Sequence, residues 1–305
     1  MQILLDVVVD ITLPVVLIAA FGFVMQRRVG FDIGTLNRLL IYVTLPCFLV
    51  HSLAGAELPL AQVRTTAIFT VVQFFVLLGV GWLVARSAGL GSGARPVVAL
   101  SAAFANSGNF GIPVIELAFG PDYVLHQAVI TAILGILILV VLPPMLAEGR
   151  RSLRGSLKEV FATPLIPAVA LGLLLNALDV DLPRVVAQPL QVVGGAYVAV
   201  ALFGLGAQLA ASGWQVSGRA VAWGVALRLC VAPILTTLAV LLLPGLPVDL
   251  RNLLIVGSCV PVGVLLAIFS AQYGRGAEVA SATVVVSTLL SPIVITLAIV
   301  LTRAL

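Results

Sequence analysis

Long apolar stretches, separated by short connections that carry most of the charge, run through the whole sequence. A helix needs about 20 apolar residues to cross a hydrocarbon core about 30 Å thick. The weaker alternation of outer-membrane barrel strands is absent, so the stretches indicate helices. The pattern predicts an all-α polytopic membrane protein with ten spans, numbered one to ten in chain order. They are Leu4–Met25, Leu36–Leu53, Val63–Val84, Val97–Ala118, Val124–Leu146, Phe161–Leu178, Gln188–Ala210, Ala220–Leu243, Leu253–Ser270 and Val279–Val300.

The composition agrees with a chain solvated by lipid. Hydrophobic residues make up 61% of the sequence and charged residues 9%, whereas a soluble domain carries roughly 25% charged residues. The three cysteines all fall inside predicted spans, which argues against a disulfide framework. The net charge of +4 follows from the placement of basic residues around the membrane and does not indicate a nucleic-acid partner.

The distribution of Lys and Arg predicts the orientation in the inner membrane. Basic residues accumulate in cytoplasmic connections, and most of the 16 in this chain fall there if the N-terminus is extracytoplasmic. Ten spans then place the C-terminus on the same side. The first stretch carries Asp6 and Asp10 instead of a basic region, so it is a membrane span and not a signal peptide.

The longest polar connection, 147–159, divides the ten spans into two groups of five. We therefore predict a first five-helix repeat at 1–146, a cytoplasmic connecting loop, and a second repeat at 160–305. An odd number of spans per half inserts the halves with opposite orientations, which is a frequent arrangement in secondary transporters.

Spans four and nine, the fourth span of each half, both contain glycine and proline near their middle. Proline removes a helical hydrogen bond, and glycine tolerates unwound backbone. Matching interrupted spans point to a transporter binding site, because unwound backbone at membrane depth lines a cavity or is buried in protein. The residues that predict the two crossed breaks are Gly108, Gly111, Pro113, Gly257, Pro261 and Gly263.

Polar side chains beside these breaks are the candidate substrate ligands. They are Asn106, Ser107, Asn109, Ser258 and Cys259. The alternatives are that the first three cap the half-helices, that Ser258 bonds to its own helix, and that Cys259 only packs. A broken helix exposes a positive N-terminal end, and two such ends near one point favour an anion without a buried Lys or Arg.

A further group of residues in or near the spans is assigned to gating or coupling. Arg228 either contacts substrate or extends to the cytoplasmic interface, Glu116 carries a proton or lies near the outer interface, and His51 either titrates or is structural. Gln73 and Gln208 are expected at a domain boundary, and Pro46 completes the group.

The order of these motifs resembles the auxin efflux carrier family, which includes bacterial permeases, over essentially the full length. The resemblance rests on Asn37, Arg38, Pro46 and His51 in span two, Asn106, Gly111 and Pro113 in span four, Phe203–Ala210 in span seven, Arg228 and Pro233 in span eight, and Pro261, Gly263 and Tyr273 in span nine.

That resemblance implies the crossover fold also found in sodium–proton exchangers and bile-acid transporters. It implies a scaffold of spans one, two, six and seven, a moving transport domain of spans three to five and eight to ten, a homodimer formed through the scaffold, and an elevator-like mechanism. It also implies that Asn106 contacts a substrate carboxylate. Val262 stands where plant members carry a polar Gln, which favours a smaller carboxylate such as a dicarboxylate over auxin itself.

The sequence thus predicts a secondary transporter of a small organic anion. It contains no H-E-x-x-H motif, no paired intramembrane aspartates and no P-loop, so neither an enzyme nor an ATP-driven pump is expected, and no cofactor or metal is predicted. Alternatives are a sodium- or proton-coupled exchanger or symporter of the same fold, and a membrane sensor. The coupling ion is left open.

Overall fold

The structure, a computed structural model, describes residues 2–55, 60–146, 164–211, 218–243 and 245–304. These residues are almost entirely helical, and seven of their helices are long and apolar enough to cross a bilayer. Because backbone in lipid must satisfy its own hydrogen bonds, such helices identify a multi-pass membrane protein.

Twelve helical segments follow one another along the described chain, and we number them α1 to α12. They are α1 (Gln2–Val29), α2 (Ile33–Ala54), α3 (Leu60–Ser87), α4 (Ala94–Ala103), α5 (107–119), α6 (Pro121–Leu146), α7 (Leu165–Ala177), α8 (Arg184–Ala211), α9 (Arg219–Leu241), α10 (Val248–Ser258), α11 (Val264–Gln272) and α12 (Ala277–Ala304).

Seven of the ten predicted spans correspond to the long helices α1, α2, α3, α6, α8, α9 and α12. Span four is divided between α4 and α5, and span nine between α10 and α11. Span six corresponds to the shorter helix α7, which the structure describes from Leu165 onward. The predicted connecting loop 147–159 and the start of span six lie outside the described residues.

Four of the helices contain a wide π-helical turn, and each turn ends two residues before a proline. Proline lacks an N–H group and its ring pushes away the carbonyl one turn earlier, so the chain accommodates an extra residue there. The four turns are Val8–Thr12 before Pro14, Leu40–Thr44 before Pro46, Ser107–Gly111 before Pro113, and Leu227–Val231 before Pro233.

The start of α2 is fixed by Asp32. Its carboxylate accepts hydrogen bonds from the backbone N–H groups of Gly34 and Thr35, at 3.3 Å and 2.9 Å, and from the Thr35 hydroxyl. These bonds favour the ionised form and lower the pKa of Asp32. The Arg38 guanidinium, in the second turn of the helix, lies 3.8 Å from the same carboxylate. Because this ion pair is exposed to solvent, it adds little to the stability of the fold.

The helices pack in two groups. Helix α1 packs along the second half of α8, and α2 packs against α7 and the first half of α8. The other group contains α3 against α4 and α6, α9 against α4 and α12, and α11 against α12.

Glycines bring α1 and α8 into backbone contact. A Cβ atom on Gly206 would overlap the carbonyl of Ala19, and one on Gly22 would overlap the carbonyl of Phe203. Two helices that associate within lipid gain no hydrophobic free energy, because lipid tails are as apolar as their side chains. Their attraction comes from van der Waals contact, which small residues allow by letting the backbones approach closely. The contact between α1 and α8 therefore depends on these two positions.

We predict that Gly206→Ala destabilises the protein by about 1–3 kcal/mol, because the added methyl group has to separate two backbones. The measurement is the thermal unfolding midpoint in detergent. The matched control is Gly204→Ala on the same helix, where a Cβ meets nothing within 4 Å, so its midpoint should stay equal or rise slightly. Equal midpoints for both variants would contradict the close contact.

Candidate functional site

Two interruptions of regular helix meet inside the protein. Helix α4 ends at Ala103 and α5 begins at Ser107, while α10 ends at Ser258 and α11 begins at Val264. Between them, Ala105 and Val262 pair as an isolated antiparallel bridge. The N–H of Asn106 donates to the Pro261 carbonyl at 2.8 Å, and the N–H of Gly263 donates to the Phe104 carbonyl at 3.1 Å. Each interruption thus satisfies backbone groups of the other.

The first interruption lies earlier than the glycine and proline pattern suggested. Regular helix stops at Phe104–Asn106, whereas Gly108 and Gly111 lie in the following π turn and Pro113 in the first turn of regular helix after it. The second interruption contains Pro261 and Gly263, as the pattern suggested, while Gly257 is still helical. Proline marks the wide turn of α5 and not the gap before it.

Arg228, on α9, holds the C-terminal ends of both interrupted helices. Its side chain is 2% exposed and donates three hydrogen bonds to backbone carbonyls, which are those of Ala102 at 3.0 Å, Ser258 at 2.6 Å and Val260 at 2.9 Å. The expectation that it extends to the cytoplasmic interface is therefore wrong. Each helix C-terminus carries roughly half a negative charge, so two of them balance one guanidinium.

Two further side chains, which were not among the predicted site residues, complete the junction. The Ser287 hydroxyl on α12 accepts from the N–H of Val262 at 3.1 Å. The Gln127 amide on α6 donates to the Ser107 carbonyl at 2.9 Å and is fully buried. A signal was present for Gln127, because His126 and Gln127 are adjacent polar residues in an otherwise apolar stretch.

Glycines let the elements of this junction approach one another. The ring of Phe104 lies where a Cβ of Gly263 would be, and the amide of Gln127 lies where a Cβ of Gly111 would be. A Cβ on Gly257 would lie 3.3 Å from the Gln127 side-chain oxygen, and one on Gly108 would lie 3.3 Å from the methyl group of Thr131. Larger residues at the first two positions would displace neighbouring side chains.

A cavity of about 470 Å³ lies against the N-terminal ends of α5 and α11. One wall is formed by Phe104–Asn109 and by Gly263–Leu265. The first N–H groups of a helix have no partner within that helix, and they carry roughly half a positive charge per helix. This wall of the cavity therefore carries positive potential, although none of the described residues that line it is cationic.

The opposite wall comes from α2, α7 and α8. Asn37 and Gln208 lie there, with the Gln208 amide donating to the Asn37 side-chain oxygen at 2.7 Å. Most of the remaining surface is aliphatic or aromatic, including Ile41, Leu139 and Phe269. Among the described residues, no Lys, Arg, His, Asp or Glu lines the cavity.

Asn106, Ser107 and Asn109 all line this cavity, at the positions where the sequence placed substrate ligands. Asn106 is 7% exposed, and its side-chain nitrogen has no hydrogen-bond partner among the described residues. The oxygen and nitrogen of an amide are assigned from their surroundings, and rotation of this amide exchanges the two. Asn106 therefore lines the cavity and carries a donor that no described residue uses.

Ser258 and Cys259 do not reach the cavity. The Ser258 hydroxyl and the Cys259 thiol both donate to the Ile255 carbonyl, at 2.6 Å and 3.4 Å, so both side chains are turned back onto α10. For Ser258 the structure matches the alternative in which the side chain bonds to its own helix, and for Cys259 it matches the alternative of packing. Of the five candidate ligands, the structure brings together the three that lie at α5.

The residues assigned to gating or coupling are dispersed. Gln208 lies in the cavity wall, whereas Gln73 on α3 donates to the Thr236 hydroxyl on α9, away from the cavity. Glu116 is half-buried on α5, and one of its carboxylate oxygens has no partner among the described residues. His51 and Pro46 lie on α2 outside the cavity lining.

Comparison with protein families identifies two matches along the chain. A family model described as a membrane transport protein matches residues 7–153 and again residues 148–299. The two matches overlap within the predicted connection between the halves and together cover nearly all of the chain. Comparison with curated proteins finds no match.

We predict that Arg228→Met greatly destabilises the fold, because three buried carbonyls lose their donors at a cost of about 1–3 kcal/mol each. The measurement is the thermal midpoint together with hydrogen exchange at 102–106 and 258–263. The control is Arg86→Met at the exposed end of α3, which should leave both unchanged. Unchanged exchange in the Arg228 variant would show that the junction does not need the guanidinium.

Proposed function

Because the chain belongs to the auxin efflux carrier family of membrane transport proteins, we propose that it is a secondary transporter that carries a small organic anion through the 470 Å³ cavity. The observation that carries this proposal is the position of the cavity at the N-terminal ends of both α5 and α11. A carboxylate there accepts hydrogen bonds from backbone N–H groups and from Asn106.

The charge of the site favours one carboxylate. Two helix N-termini together supply roughly one positive charge. The negative C-terminal ends of α4 and α10 are compensated by the Arg228 guanidinium. A dicarboxylate would bring a second negative charge to a cavity in which no described lining residue is Lys or Arg. That second charge would remain unpaired at membrane depth, which is costly. A monocarboxylate with an apolar body fits the aliphatic remainder of the cavity.

This preference replaces the dicarboxylate expectation, which rested on Val262. Val262 is fully buried in the bridge between the two interruptions, and its side chain does not line the cavity. Its apolar nature therefore has no direct bearing on the substrate. On the wall opposite the two helix N-termini, the polar side chains of Asn37 and Gln208 are both uncharged.

An elevator-type movement is the mechanism that the packing supports. The cavity lies between the group α1, α2, α7 and α8 and the group that holds both interruptions. We propose that the first group is a scaffold, that it forms a homodimer, and that the second group moves with the substrate. All ten predicted spans would then cross the membrane, as two inverted repeats, and the repeated family match supports such a duplication.

We predict that Asn106→Ala reduces substrate uptake to background while the protein still inserts and purifies, since it removes a side-chain ligand and leaves the backbone bridge in place. Uptake of labelled aliphatic monocarboxylates into proteoliposomes is the measurement. The matched control is Asn252→Ala on α10, whose amide donates to the Thr302 carbonyl outside the cavity. Full uptake by the Asn106 variant would exclude this residue from the mechanism.

We also predict a ranking of ligands. A monocarboxylate with an apolar chain should raise the thermal midpoint more than the dicarboxylate of the same length, and the corresponding neutral alcohol should raise it least. A ligand present at 100 times its dissociation constant adds about 2.7 kcal/mol of stability, which a thermal-shift series resolves. A dicarboxylate that outperforms the monocarboxylate would contradict the charge balance.

A further inference from the structure

A second cavity, of about 730 Å³, forms a groove between α1 and α12. Its lining extends along α1 from Leu4 to Val24, which corresponds to about 30 Å of helix and matches the thickness of the hydrocarbon core. The rim of the groove lies on the surface of the protein, since Val16 is 40% and Ile293 is 61% exposed. The groove therefore opens sideways, towards the bilayer.

Only an apolar occupant fits the groove. Among the described residues that line it, the polar ones are three threonines, and their hydroxyls are bonded within the protein. Thr12 and Thr296 pair at 2.6 Å, Thr296 also donates to Pro292, and Thr288 donates to Val284. The hydroxyl protons of these threonines are therefore used within the protein, which makes the groove a poor site for water, and lipid chains are the solvent at this depth.

Charge distinguishes the two ends of the groove. At one end Phe23 belongs to the lining, and the Arg27 guanidinium lies over its ring at 5.6 Å from the centroid, with exposed Arg28 beside it. At the other end of α1, exposed Asp6 and Asp10 carry the opposite charge, and exposed Arg303 lies at the corresponding end of α12. Arg27 and Arg28 therefore attract an anionic headgroup to the first end, whereas the second end carries both signs of charge.

We propose that this groove binds one anionic phospholipid from the leaflet that contacts Arg27 and Arg28, with an acyl chain lying between α1 and α12. The acyl chain also contacts Phe110, a groove-lining residue that is 2% exposed. Phe110 directly follows Asn109, which lines the proposed substrate cavity. The lipid thus packs behind the turn that forms the proposed site. Lipid binding does not depend on the identity of the substrate.

The test uses the purified, delipidated protein and native mass spectrometry with phosphatidylglycerol and phosphatidylcholine of identical chains. The wild type should bind one phosphatidylglycerol about ten to thirty times more tightly, the preference expected from two basic residues at about 1 kcal/mol each. Arg27→Gln combined with Arg28→Gln should abolish the preference. Equal binding of both lipids by the wild type would overturn the proposal.

Two variants that fill the groove from opposite walls test the position of the chain. Val16→Trp on α1 and Leu289→Trp on α12 should each weaken the binding of both lipids at least tenfold. The matched control is Val72→Trp, at a 56% exposed position of α3 outside the groove lining, which should bind lipid like the wild type. Two monodisperse groove variants with wild-type binding would place the lipid elsewhere and refute the assignment.

Discussion

The structure depends on how unwound backbone is satisfied in the middle of a membrane protein. Each unpaired N–H or C=O in a hydrocarbon environment costs several kcal/mol. Here the two interruptions solve this problem jointly, because Asn106 and Gly263 donate to carbonyls of the opposite interruption. Arg228 supplies donors to three more carbonyls. Each interruption therefore satisfies backbone groups of the other, and the cavity lies against the junction that they form.

At this junction the negative C-terminal ends of two helices face Arg228, whereas the positive N-terminal ends of two others face the cavity. A buried guanidinium without a partner would be prohibitive, but two helix C-termini provide a counter-charge of about the same size. The same two interruptions leave the N-terminal ends of α5 and α11 facing the cavity, where no cationic side chain of the described residues lies. The helix ends therefore give this wall of the cavity positive potential, and none of the described residues that line it is charged.

Much of the fold was predictable from hydrophobic pattern alone, because crossing a bilayer requires long apolar helices and this chain contains little else. Glycine and proline also indicated which two spans are interrupted. The position of the first interruption was not predictable, since Pro113 produces a π turn and the gap lies at Phe104–Asn106. Nor could the sequence show that Ser258 bonds back to Ile255, because side-chain direction depends on a backbone that has already turned.

Arg228 shows why the role of an ionisable residue in a span cannot be assigned from its position in the sequence alone. Proximity to a predicted interface favours an arginine that reaches water. That expectation fails here because three carbonyls converge from α4, from the last residue of α10 and from the segment that follows it. Those carbonyls are 126, 30 and 32 positions away along the chain. No local pattern contains that information. A buried arginine beside interrupted helices is therefore better interpreted first as a partner of their C-terminal ends, and only then as a ligand of the substrate.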